Sequence, residues 1–92
     1  MTQSVMSDAI LKPHPEVISR RLGDAAVLVH LTSNRIFELN ATGARIWELI
    51  CEGLDEPAIS AKLAEEFDVE PTLAAEELRG LLARLRHEGL VQ

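Results

Sequence analysis

Arg35-Ile36-Phe37-Glu38-Leu39-Asn40-Ala41-Thr42-Gly43-Ala44-Arg45-Ile46-Trp47-Glu48-Leu49 changes its periodicity at a single residue. Up to Leu39 the chain carries strand formers, with Ile36, Phe37 and Leu39 in five residues. Asn40 suits a helix N-cap, because its side-chain oxygen accepts from a backbone N–H of the first turn. Leu39 and Ala44 flank it at the spacing of a hydrophobic staple. Beyond it Ile46, Leu49 and Ile50 share one helical face, with Trp47 beside them. A strand thus runs without a linker into an amphipathic helix. No residue of the stretch has the neighbours of a catalytic group. The reading points to a small scaffold whose surface is its function.

Towards the N-terminus, residues 1–12 lack periodicity and read as a flexible tail, leaving 13–92 as one folded domain. Pro13 and Pro15 hold the segment around His14 extended. A first short strand is expected over 17–21, and Gly23-Asp24 is a turn signal. Residues 25–31 read as a strand, with Val27, Val29 and Leu31 on one side and Ala26, Leu28 and His30 on the other. His30 is expected at a surface or edge. Thr32-Ser33-Asn34 turns the chain back into Arg35–Leu39.

Towards the C-terminus the pattern stays helical. The first helix spans 41–51 and stops at Gly53, which suits a left-handed position with Leu54 folding back. Asp55 caps a second helix with Pro57 in its first turn, ending near Phe67. Pro71 opens a third, whose stripe is Leu78, Leu81, Leu82 and Leu85, and Gly89 ends it. Strands first and helices after make an α+β domain. The expected fold is small and winged-helix-like, a three-stranded antiparallel sheet followed by three helices that cover one face.

The bulk numbers exclude several classes. Ninety-two residues with 47% hydrophobic and 26% charged content suit one globular domain rather than a disordered chain. Phe37, Trp47 and Phe67 are the only aromatics, so the core is aliphatic. A formal net charge of −6 opposes non-specific phosphate binding. Glu52, Asp55, Glu56, Glu65, Glu66, Asp68, Glu70, Glu76 and Glu77 read as a solvated acidic face. One cysteine supports neither a disulfide framework nor a thiolate cluster and fits a reducing compartment. The sequence shows no membrane-length apolar run and no signal-peptide pattern. A cytoplasmic protein is expected.

Chemistry finds no foothold. His14, His30 and His87 are too far apart in sequence for a helical ligand pair, and no zinc-protease pattern surrounds them. His87 falls in the last turn of the third helix, where it complements the negative end. Cys51 closes a helix C-terminally, the wrong end to activate a thiol, and reads as a core or boundary residue. Glu65-Glu66 and Glu76-Glu77 are sequence neighbours on helices and do not face each other. No serine has a nucleophile-elbow context and the glycines form no phosphate loop. No enzyme, metal or cofactor is expected. Topology leaves open a winged-helix DNA-binding regulator, against which the acidic second helix and the mixed charge of the third argue.

The run Leu39-Asn40-Ala41-Thr42-Gly43-Ala44-Arg45-Ile46-Trp47-Glu48-Leu49-Ile50 with Gly53 closely resembles the PqqD-like family. So do Ile59, Leu63, Phe67-Asp68-Val69 and the ending Leu81-Leu82-Leu85…Gly89-Leu90-Val91. The likeness covers about 13–91. It implies the peptide-recognition element of ribosomally made, post-translationally modified peptide pathways: a non-catalytic adaptor that binds a precursor's leader peptide and presents it to a modifying enzyme. In PqqD itself the precursor is that of pyrroloquinoline quinone and the partner is a radical SAM enzyme. Relatives serve lasso peptides and often deliver the leader to a protease. The hairpin here, with Arg35-Ile36-Phe37-Glu38-Leu39, looks nearer the generic or lasso-type relatives than PqqD proper.

The resemblance also implies where the leader goes, by strand addition on the third strand in the groove towards the third helix. The implied peptide-binding residues are Arg35, Ile36, Phe37, Glu38 and Leu39 on the strand, and Leu78, Leu82 and Leu85 on the helix. Arg35, Arg79, Arg84 and Arg86 would meet acidic leader residues at the rim. The leucines also suit a core, Leu81 and Leu85 at least as readily as a groove. Arg45 and Trp47 read as structural. Neither nucleic acid nor membrane is expected as a partner, and the protein is expected to be a monomer or weak dimer.

Overall fold

Alternating residues from Val17 to Leu39 build an antiparallel meander of β1 (Val17–Leu22), β2 (Ala25–His30) and β3 (Arg35–Leu39), in the order β1-β2-β3. The computed structural model describes residues 11–92. Cross-strand rows run Ile18–Val29–Ile36 and Ser19–Leu28–Phe37. A one-residue step exchanges the two faces of a strand. Ala26, Leu28 and His30 therefore all point inward and are buried. Ile36, 67% exposed, points outward.

His30 is not the surface residue expected. It is 7% exposed because it shares the inward parity of Leu28. The segment leading into β1 also covers it. The His14 ring lies 4.8 Å from that of His30, and Leu31 N donates to Glu16 O at 2.9 Å. Residues 1–10 of the expected tail lie outside the described residues. Leu11 and Lys12, assigned to that tail, are instead part of the fold. Leu11 is buried in the core, Gln92 N donates to Lys12 O at 2.8 Å, and Pro13 bridges Val91.

Three helices follow, α1 (Ala41–Cys51), α2 (Glu56–Phe67) and α3 (Pro71–His87). Asn40 Oδ1 accepts from Gly43 N at 2.9 Å and Asp55 Oδ1 from Ala58 N at 3.0 Å. Each such cap contributes about 1 kcal/mol. Gly53 (φ +93°) and Gly89 (φ +75°) turn left-handed at the ends of α1 and α3. Leu54 N then reaches back to Leu49 O, and Leu90 N to Leu85 O. These bonds satisfy otherwise orphaned carbonyls and fold an apolar residue onto the helix end.

The core lies between the inward sheet face and the helices. It joins Leu28 and Leu39 to Ile46, Leu49 and Ile50 of α1, Ile59 and Leu63 of α2, and Ala74, Leu78, Leu82 and Leu85 of α3. Each large aliphatic side chain taken out of water contributes about 1.5–3 kcal/mol. Arg45 ties α1 to α2 through two bonds to Glu66, Nε at 2.8 Å and a terminal nitrogen at 2.9 Å, and also bonds Glu48. The Arg45 hydrogen bonds hold the Glu66 carboxyl below its ordinary pKa, and the arginine's own pKa is raised in return. Trp47, 4% exposed, is a core residue. Both residues are structural, as expected.

Candidate functional site

As an edge strand, β3 pairs with β2 on one side and leaves backbone N–H and C=O groups on the other. Between its C-terminal end and α3 lies a groove of about 320 Å³. Glu38, Leu39 and Asn40 form one wall, continued by Thr42, Gly43 and Ile46 of α1. Glu77, Gly80, Leu81 and Arg84 of α3 form the other. The groove exists because strand and first helix are contiguous. With no linker after Leu39, α1 must leave the sheet at once, and α3 packs chiefly on α2 rather than on β3.

The sequence-derived site residues divide. Leu39 and Glu38 line the groove. Phe37 is half-buried on the inward face, with the Arg35 guanidinium carbon 5.3 Å from its ring centre. Ile36 is open on the outer face. Arg35 pairs with Glu88 at 3.1 Å, joining the start of β3 to the end of α3.

The helix assignments are corrected. Leu78, Leu82 and Leu85 are 1%, 0% and 2% exposed, so they are core residues with no surface to offer a peptide. The physical reason is rotational. At 100° per residue, the row 74, 78, 82, 85 meets the core, and the row 77, 81, 84 lies beside it and meets the groove. Leu81, half-buried, is the apolar groove residue of α3. Arg79 and Arg86 are exposed on the opposite flank and do not line the groove, whereas Arg84 does.

Glu77 and Gly80 escaped the sequence reading. Their signal was present as a second i, i+3, i+4 row that includes a glycine in mid-helix. The rim they form sets two carboxylates, Glu38 and Glu77, against one guanidinium, Arg84.

Other chemistry stays without geometry. Among the described residues no group of three or more His, Cys, Asp or Glu is placed to hold a metal ion. Cys51 is exposed rather than in the core. Partial desolvation of the thiol, then the neighbouring Glu52, raises its pKa, the reverse of nucleophile activation. No helix of the described residues is long and apolar enough to cross a membrane.

Two solved structures have a similar fold. "TbiB1 in Complex with the TbiA(beta) Leader Peptide" is 32% identical over 88% of this chain and 94% of its own, with a TM-score of 0.84. "Lasso peptide synthetase B1 complexed with the leader peptide" shares the fold at a TM-score of 0.81 and 24% identity, over 89% of this chain and 96% of its own. No curated protein matches the chain. Residues 25–91 match the family model described as "Coenzyme PQQ synthesis protein D (PqqD)". Most of the sheet and all three helices fall inside that match, and the chain belongs to the PqqD family.

Proposed function

We propose that this protein is a non-catalytic adaptor that binds the leader of a ribosomally made precursor peptide and presents it to a modifying enzyme. The observation that carries the reading is the groove beside the unpaired edge of β3 in a PqqD-family chain. A solved relative of 32% identity is described in complex with a leader peptide. An extended peptide adds to β3 as a fourth strand. Backbone hydrogen bonds supply affinity, and the groove walls select its side chains. Leu81 offers apolar contact, with the small exposed part of Leu39 across from it. Glu38 and Glu77 favour a basic residue at the rim, and Arg84 an acidic one.

The lasso-type pathways are the better match of those weighed, with a leader protease and cyclase as partners. A radical SAM enzyme is the corresponding partner if the precursor is of the quinone-cofactor type. The adaptor works in the cytoplasm as a monomer or weak dimer. The peptide-binding domain includes Leu11 and Lys12 together with residues 13–92.

Fluorescence anisotropy with labelled synthetic leaders tests this. The set comprises leaders of the short peptides encoded beside this gene and the TbiA(beta) leader, with a scrambled leader and a DNA duplex as controls. Saturable binding of one leader, with neither control binding, is expected. Binding to the duplex but to no leader would replace the adaptor with the winged-helix regulator.

A further inference from the structure

Gly80 stands inside α3, where glycine weakens a helix relative to alanine. Two compensations usually account for such a glycine: a backbone angle that only glycine adopts readily, or an approach too close for a Cβ. Neither applies at Gly80. Its φ is not positive, and a Cβ built there meets no atom of another element within 4 Å. The other four glycines each have a reason. Gly23, Gly53 and Gly89 lie at positive φ, and a Cβ on Gly43 would come within 3.3 Å of Leu39 Cβ. The fold therefore asks nothing of Gly80, yet the residue is a wall of the groove, one turn from both Glu77 and Arg84 and next to Leu81.

We propose that Gly80 is a specificity-determining residue of the peptide groove. Its bare backbone leaves room for one bulky apolar side chain of the bound peptide to lie against α3, beside Leu81. This inference rests on the adaptor reading and deepens it. A side chain at position 80 projects from the helix into the space that the peptide's side chain takes. Enlarging residue 80 then acts on the peptide and not on the fold. Stability and affinity are expected to move in opposite directions, which no structural role for this glycine produces.

The test uses Gly80→Ala and Gly80→Leu in the full chain, with the leader that binds the unmodified protein best in the titration above. Gly80→Ala is expected to raise Tm by about 4 °C, since alanine stabilises an exposed helix position. Both variants are expected to bind more weakly, Gly80→Leu by about tenfold or more, the usual result of overfilling a packed space. An alanine scan of the leader then supplies the complement. At one bulky apolar position, replacement with alanine weakens binding to the unmodified protein but restores affinity to Gly80→Leu. Folded variants that bind as tightly as the unmodified protein would overturn the assignment. So would weakened binding that no alanine in the leader relieves. If Gly80→Leu fails to fold, the opposite movements in Gly80→Ala decide the matter alone. A failure of the unmodified protein to bind any leader overturns the adaptor reading itself, and is seen before any variant is made.

Discussion

β1 and β3 are both edge strands, and each has a cleft beside it, yet the two clefts are closed differently. Beside β1 a space of about 300 Å³ lies between Ser19, Arg20 and Arg21 and the α1 residues Trp47, Glu48 and Cys51. An ion pair between Arg21 and Glu48, both among its lining residues, crosses it. Beside β3 the corresponding ion pair, Arg35–Glu88, sits at the start of the strand and outside the lining of the groove. A peptide entering along β1 must break an ion pair inside its cleft. One entering along β3 meets Leu39, Gly80 and Leu81. An unpaired edge is therefore not a binding site by itself. What stands across from it decides whether a strand adds there.

The largest expected effect removes the comparison altogether. Leu82→Asp puts a carboxylate where the side chain is 0% exposed. Burying an unpaired charge costs several kcal/mol, about the whole stability of a small domain. The variant is expected to lose its cooperative thermal transition by circular dichroism. One step round the helix, Leu81→Asp alters a half-buried groove residue. That variant is expected to keep its fold and lose about tenfold or more in leader affinity. If Leu81→Asp unfolds the protein and Leu82→Asp spares it, the assignment of the two rows is reversed.

Charge changes sharpen the distinction between edges. Glu38→Lys alters the β3 rim and is expected to change leader affinity by roughly several-fold, most strongly at low salt. Arg20→Glu on β1 makes a comparable change beside the other cleft and is expected to leave affinity unaltered. Equal sensitivity at both edges would show that net charge, rather than the β3 groove, governs binding.

The smallest effect lies away from both edges. The Glu66 carboxyl is depressed chiefly by its hydrogen bonds from Arg45. A depressed carboxylate stabilises the fold above its ordinary pKa, and that contribution fades as pH falls through the folded value. Arg45→Ala is thus expected to lower Tm slightly at about pH 7 and by less at about pH 3. Leader affinity is expected to stay the same, because neither residue lines either cleft. A gap in Tm that widened on acidification would contradict the direction assigned to Glu66.

Much of the fold was legible because its signals are local. Asn40 and Asp55 cap helices by accepting from a backbone N–H only three residues further on. Gly53 and Gly89 stop helices by their own backbone angles. The alternation in β2 declared its two faces correctly. Which face would be covered was not local, so His30 was misplaced. Its burial depends on His14 and Glu16, which return over the sheet from a segment with no periodicity of its own. Of the strand residues expected to meet a peptide, Glu38 and Leu39 line the groove. Of the helix residues, Leu78 and Leu82 are buried in the core and Leu81 lines the groove.

By itself the sequence determined the element order, the caps and the break from strand to helix at Asn40, since each depends on side chains acting on their own neighbouring backbone. Only the tertiary structure decided which row of α3 became core and which became groove. Leu78 and Leu81 stand about 60° apart on the helix and are both apolar, although Leu81 has Glu77 and Arg84 in its row. The difference between them arises where α3 packs on α2 and stops short of β3, a matter of how distant elements meet.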